Sequence, residues 1–187
     1  MSKMKVAITG SIGSGKSEVC NYLRECGYDV FDCDKVNKDI LDQSAYELLY
    51  DDFKDCFDNN ILNKQKLANL VFANKQAKDK LESIMHPLIL KELLNRQDDP
   101  LFAEVPLLFE SNWEKYFDES ILIIANEKDI VERLINRGLD KEDAINRLKN
   151  QMSVVEKAKK ATRIIYNNGT LSDLYSLIDC YLKDIKC

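Results

Sequence analysis

The sequence holds a single histidine, and none of its six cysteines forms a CxxC pair. A zinc site built from imidazoles and paired thiolates therefore lacks its ligands. Cys20, Cys26, Cys33, Cys56, Cys180 and Cys187 are scattered along 187 residues. That spacing speaks against a disulfide framework and for reduced thiols in a cytoplasmic protein. A basic surplus is also missing: the net charge is −5, which argues against nucleic acid as the main partner. No apolar run approaches the roughly 20 residues that a membrane helix needs. The N-terminus, MSKMKVAITG, has neither the apolar stretch nor the cleavage site of a secretory signal.

What is present is a globular composition, 45% hydrophobic and 32% charged, on a chain long enough for one sizeable domain. Strand and helix signals alternate. Residues 5–9 read as a strand that runs into glycine, and 17–25 as a helix that Gly27 stops. Residues 28–32 and 163–166 read as strands, and 101–109 as an apolar run broken by Glu104 and Pro106. SILIIA, from Ser120 to Ala125, has the look of a strand buried on both faces. Thr170 or Ser172 caps a last helix with Leu174, Ile178, Tyr181, Leu182 and Ile185 at helical spacing. This order predicts an α/β fold with a parallel sheet covered by helices on both sides.

Two stretches interrupt the alternation. Between Asp34 and Pro100 strand signals disappear and charged helical segments take over, too long for an ordinary connection. A helical insertion is expected there. A shorter one runs from Asp140 to about Lys160. Asp140 is placed to cap a helix, with Asp143 reaching back and Ala144, Ile145, Leu148 and Met152 as its apolar stripe.

Gly10-Ser11-Ile12-Gly13-Ser14-Gly15-Lys16-Ser17 fits G-x-x-x-x-G-K-[ST] in full, between a strand and a helix. The glycines, Gly13 and Gly15 among them, let the backbone turn its N–H groups, Ser14 included, toward phosphate oxygens. The helix start adds its positive dipole end. Lys16 supplies a point charge for the β- and γ-phosphates, and the Ser17 hydroxyl a ligand for Mg²⁺. The loop thus indicates a nucleoside triphosphate with Mg²⁺ and leaves the acceptor open. No guanine-reading N-K-x-D follows a later strand, and VPLLFE lacks the Asp-Glu pair of motor ATPases. A small-molecule kinase fits best.

Such a kinase needs a group to orient the acceptor hydroxyl. Val30-Phe31-Asp32-Cys33-Asp34 ends the second strand, which sets Asp32 and Asp34 on one face with Cys33 turned away; the alternative makes both solvated turn residues or caps. Arg133 and Arg137 lie four apart on one helix face, and Arg147 and Gln151 repeat that spacing. Lys157, Lys159, Lys160 and Arg163 follow. Most read as a solvated charged face, with one or two closing over phosphates as a lid. His86-Pro87 is either a corner that starts a helix or a substrate contact. Trp113 reads as packing.

ITGSIGSGKS, FDCD (31–34), MHPLI (85–89), VPLLFE (105–110), Arg137, Arg147 and Gln151, and IIYNNG (164–169) together resemble the dephospho-coenzyme A kinase family over nearly the whole chain. The resemblance implies one P-loop kinase domain over 1–187, a five-stranded parallel sheet flanked by helices. It implies a coenzyme A-binding insertion over 35–99 and a lid over 139–160. ATP with Mg²⁺ would phosphorylate the ribose 3′-hydroxyl of dephospho-coenzyme A. Asp34 would be the base. Lys16 and Arg137 would join it in catalysis, with Arg147 and Asn167 on ATP. Thr9, His86, Leu107 and Leu108 would meet the acceptor. The expected state is a monomer, with oligomers open. Thr162 stands where the family often has Asp, Glu104 where Asp is frequent, and Cys33 where Ala is common. Kinases for other acceptors, such as nucleoside monophosphates, and a nucleotide-dependent switch module remain as alternatives.

Overall fold

The computed structural model describes residues 3–185. In chain order, β1 (Lys5–Gly10), α1 (Lys16–Glu25) and β2 (Val30–Asp32) come first. Then follow α2 (Cys33–Leu49), the two-residue strands β3 (Phe57–Asp58) and β4 (Ile61–Leu62), α3 (Lys64–Ala73) and α4 (Lys75–Leu94). The chain goes on through β5 (Leu101–Glu104), β6 (Glu119–Ile124), α5 (Glu127–Asn136), α6 (Lys141–Lys149), α7 (Val154–Lys160), β7 (Arg163–Tyr166) and α8 (Leu171–Asp184). It divides into two compact units. One is built from the chain up to Asp32 and from Gln97 onward, the other from Cys33 to Arg96.

The first unit is a five-stranded sheet in the order β2-β5-β1-β6-β7, parallel at every pairing. Strands covered on both faces must be apolar throughout. Val6, Ala7 and Ile8 of the central strand are accordingly all fully buried. Strand order reverses beside β1, which places the loop after it at the carboxyl edge where open α/β sheets bind ligands. The core joins Val6, Ile8, Phe102, Ile121 and Ile123 to Val19, Cys20 and Leu23 of α1 and to Leu174, Ile178, Tyr181 and Leu182 of α8. Helix α1 ends as its glycine predicts: Tyr28 N–H donates to Leu23 O and Gly27 N–H to Arg24 O, the bond pair of a Schellman stop. Of the two hydroxyls considered for the last helix, Thr170 is the cap, in a reciprocal box with Asp173.

The second unit is mostly helical. Leu49, Phe53, Cys56 and Leu67 form its buried centre, edged by the rings of Tyr46, Tyr50 and Phe57. It departs from expectation in three places. Strand signals do not vanish entirely: β3 and β4 form an antiparallel hairpin across Asn59 and Asn60, both at positive φ, as a two-residue primed turn requires. Pro87 does not start a helix. It lies inside α4, where its ring removes one intrahelical bond, while buried Met85, Ile89 and Leu93 hold the helix on both sides of it. Strand β2 stops at Asp32 and a helix starts at Cys33, so strand alternation does not extend to Asp34. Buried Cys33 and exposed Asp34 are successive residues of the first turn of α2. That helix also breaks at Ser44 (φ −138°, ψ 18°).

Candidate functional site

The loop Gly10–Ser17 is held by its neighbours as well as by its own turn. At Gly15 (φ +105°) a Cβ would stand 2.2 Å from Asn167 Nδ2; at Gly10 it would stand 2.5 Å from the Ile123 carbonyl oxygen. Both positions need glycine for close approach, and Gly15 for its left-handed backbone too. Gly15 is also the N-cap of α1 and carries no side chain to cap it. Side chains of Asn63, Asn74, Asp140, Ser153 and Thr170 do cap their helices. The first-turn amides of α1 are thus left for an anion, which the helix dipole favours.

Lys16 is buried. Its Nζ donates to the carbonyl oxygens of Gly10 and Ser11, both at 2.9 Å, so the ammonium lies across the loop. Ser14 is fully buried, and its carbonyl oxygen accepts from Asn167 Nδ2 at 2.8 Å. Arg133 Nη1 donates to the carbonyl oxygens of Gly13 (3.3 Å) and Ser14 (3.5 Å), and its Nη2 to that of Asn167 (3.4 Å). Asn167 is placed by β7, its N–H on Ile124 O at 2.7 Å. Sequence reasoning set Asn167 near the nucleotide; the structure sets it on the loop backbone.

Of the arginine pair on α5, Arg133 braces the loop, while Arg137 follows the helix as its exposed C-cap. The Arg137 N–H still donates to the Arg133 carbonyl oxygen at 3.2 Å, so the two stand one helical turn apart as the i,i+4 spacing predicts. Arg147 is exposed on α6. Of the basic run, Lys157 is fully buried beside Glu110 (2.8 Å) and Lys160 pairs with Glu114. Arg163 pairs with Glu119 and Asp184. Each of the three thus has a carboxylate partner within the protein.

Ser17 Oγ donates to Glu104 Oε1 at 3.2 Å. Glu104 ends β5 opposite Asp32 of β2 in the strand register, so a second acidic residue lies one strand away. Beneath them, burial and the Glu104 carboxylate push the Cys20 thiol well above its ordinary value; it is an inert neutral donor. Among the described residues no three metal-ligating His, Cys, Asp or Glu side chains gather. Hard oxygens in small number nevertheless suit Mg²⁺, which takes one or two protein ligands and completes its shell with phosphates and water. The Ser17–Glu104 pair fits that demand. Glu104 was legible as the residue two before Pro106, and its contact with Ser17 gives its longer arm a place.

Thr9 is fully buried at the end of β1, its Oγ1 3.5 Å from the Pro106 carbonyl oxygen. Leu107 is 38% exposed, whereas Leu108 is fully buried. Leu108 is a core residue and lines no surface; the strand ends at Glu104 and the following turn points it inward. Thr162 exchanges hydrogen bonds with Ser120 on the backbone and side chain of each, a splice that starts β7 against β6. Asp34 and His86 belong to the second unit. His86, half-buried on α4, has its pKa lowered by burial against the opposing pull of Glu82, so it is neutral at pH 7. Among the described residues no helix is long and apolar enough to cross a membrane.

Residues 4–173 match the family model for dephospho-CoA kinase. A dephospho-CoA kinase of Fusobacterium nucleatum subsp. nucleatum is 36% identical, over 99% of this chain and 100% of its own length. A solved Thermus thermophilus protein superposes with a TM-score of 0.88 at 35% identity, covering 98% of each chain. Dephospho-CoA kinase from Campylobacter jejuni gives 0.70 at 29% identity, over 97% of this chain and 96% of its own. With its phosphate loop and five-stranded parallel sheet, the chain belongs to the dephospho-CoA kinase family, P-loop kinases of the ATP-dependent phosphorylation step in coenzyme A biosynthesis.

Proposed function

We propose that this protein moves the γ-phosphoryl group of ATP onto the ribose 3′-hydroxyl of dephospho-coenzyme A. The observation that carries the reading is the braced Gly10–Ser17 loop with Ser17 against Glu104, in a chain that matches the family over 4–173. The loop amides from Gly13 to Ser17 and the Lys16 ammonium bind the triphosphate. Ser17 and Glu104 would hold Mg²⁺, which would supply positive charge to the phosphate oxygens when bound. Asp34 accepts the proton of the 3′-hydroxyl as the new P–O bond forms and the bond to the β-phosphate oxygen breaks. Positioning and charge account for most of such a transfer.

Arg137, the exposed C-cap of α5, spreads the charge on the moving phosphoryl group with Lys16, and Arg147 joins them when a lid over 139–160 closes and excludes water. Arg133 and Asn167 keep the loop in shape beneath the nucleotide. Leu107 and His86 face the acceptor, whereas Thr9, fully buried at the end of β1, lines no surface and is not kept as an acceptor contact. The helical unit supplies its binding surface, which suits a molecule much larger than a nucleoside. A cytoplasmic monomer is the working form.

Asp34→Asn tests the chemistry. It should lower kcat by about 10²- to 10⁴-fold, the usual worth of a positioned base, with ATP affinity unchanged. A normal rate removes Asp34 as the base. An acceptor panel of nucleoside monophosphates and dephospho-coenzyme A tests the substrate: equal turnover on all of them contradicts the assignment.

A further inference from the structure

Lys157 is buried as completely as any aliphatic core residue, and the chemistry above has no use for it. Its Nζ lies 2.8 Å from Glu110 Oε1. The same oxygen accepts the Met152 N–H at 3.2 Å, while Glu110 Oε2 is buried with no hydrogen-bond partner and the Lys157 ammonium meets the carboxylate as an ion pair without a well-aligned hydrogen bond. A buried ion pair rarely stabilises a fold more than apolar residues of the same size would. An unpaired carboxylate oxygen worsens that balance. What the pair does specify is geometry.

Glu110 stands on rigid ground. It follows the buried side chains of Leu108 and Phe109, in a turn closed by Ser111 N–H on Leu107 O and Trp113 N–H on Leu108 O. From there it fixes the backbone at Met152. The residue before, Gln151, turns its Oε1 to the Ile12 N–H at 3.0 Å. Ile12 lies in the middle of the phosphate loop, and its side chain packs with Ile130, Leu134, Ala144 and Leu148 of α5 and α6. One residue of the loop is thus held twice, by its side chain on α5 and α6 and by its N–H on the segment that follows α6, and the Lys157–Glu110 pair anchors that segment.

We propose that Glu110 and Lys157 are positioning residues for the phosphate loop, acting through Gln151 on Ile12. The inference rests on the nucleotide-site part of the reading above and not on the acceptor. It predicts coupling between Lys157 and Gln151 through the Glu110–Met152 link.

The test is a double-mutant cycle read in ATP affinity by calorimetry, with Mg²⁺ and no acceptor. Lys157→Met and Gln151→Leu should each weaken ATP about tenfold, the scale of one hydrogen bond. Together they should weaken it no further, and Lys157→Arg should restore binding. Should Lys157→Met fail to fold, Glu110→Gln keeps the side-chain shape and should show the same coupling to Gln151→Leu. ATP affinity within twofold of wild type in these variants, or losses that multiply in the double variant, overturns the proposal. If the wild type itself does not bind ATP, the nucleotide-site reading fails instead.

Discussion

At Gly15 the phosphate loop tolerates no side chain. A methyl group would fall 2.2 Å from Asn167 Nδ2, the atom that holds the Ser14 carbonyl oxygen. Gly15→Ala should therefore push Asn167 off the loop and spread the amides that α1 presents to phosphate. The expected cost is at least about 100-fold in kcat/KM, the scale of losing one preorganised donor, in a protein that still folds; steady-state kinetics beside circular dichroism checks both halves. Glu104 makes a different prediction. Its carboxylate 3.2 Å from Ser17 should set the demand for Mg²⁺. Glu104→Gln should raise the Mg²⁺ concentration for half-maximal rate about tenfold, as one lost charged ligand implies. A magnesium titration at saturating ATP reads this, and an unmoved midpoint assigns Glu104 to packing.

At the scale of the element, capping explains where helices begin and how acid acts on them. Thr170 and Asp173 cap α8 reciprocally, with Asp173 Oδ2 accepting from the Thr170 hydroxyl at 2.7 Å and from its N–H at 2.8 Å. Those bonds hold the Asp173 pKa below its ordinary value. The folded value lies under the unfolded one, so the contribution is present above the unfolded carboxylate range at about pH 4 and is lost as pH falls from there through the lower folded value. Thr170→Ala should cost about 1 kcal/mol near neutral pH and soften the acid dependence of Tm; melting curves from pH 7 to pH 3 show both effects.

Elements with strong local signals were legible in the sequence. Arg163–Tyr166 is the strand expected, α1 stops at its glycine, and Asp140 caps α6 through the Asp143 N–H. Other features depend on tertiary partners. Ser153–Glu156 at the start of α7 is a complete capping box and was visible as S-x-x-E, yet it lay inside a run read only for its charge. Pro87 looked like a helix start because local rules favour it there, and packing overrode them. Lys157 looked solvated because its partner, Glu110, is far away in sequence. Arg133 and Arg137 could not be ranked by spacing, since the Gly13, Ser14 and Asn167 carbonyl oxygens that Arg133 meets lie far away in sequence. The loop itself was the most legible part of the site, and what braces it was the least.

At the scale of the molecule, a net charge of −5 coexists with a site for a highly anionic donor. The contradiction is only apparent. Two cations are gathered at the loop itself, with Lys16 on the Gly10 and Ser11 carbonyl oxygens and Arg133 on those of Gly13 and Ser14. Many of the rest pair locally, as Lys160 does with Glu114, Arg163 with Glu119, and Lys64 and Lys66 with Asp42 and Asp58. Charge thus serves binding at one place without making the surface a polyanion binder. The chain also separates its tasks: a parallel sheet that holds the loop, and a helical unit of 33–96 with its own core.

The most direct measurement is of the product. The protein is incubated with ATP, Mg²⁺ and dephospho-coenzyme A, and the mixture is followed by mass spectrometry and phosphorus NMR. The account predicts a product heavier by one phosphoryl group, with a new monoester resonance assigned to the ribose 3′ position and one ADP formed per product. ATP that binds without transfer, or a phosphate that appears elsewhere on the acceptor, would contradict it.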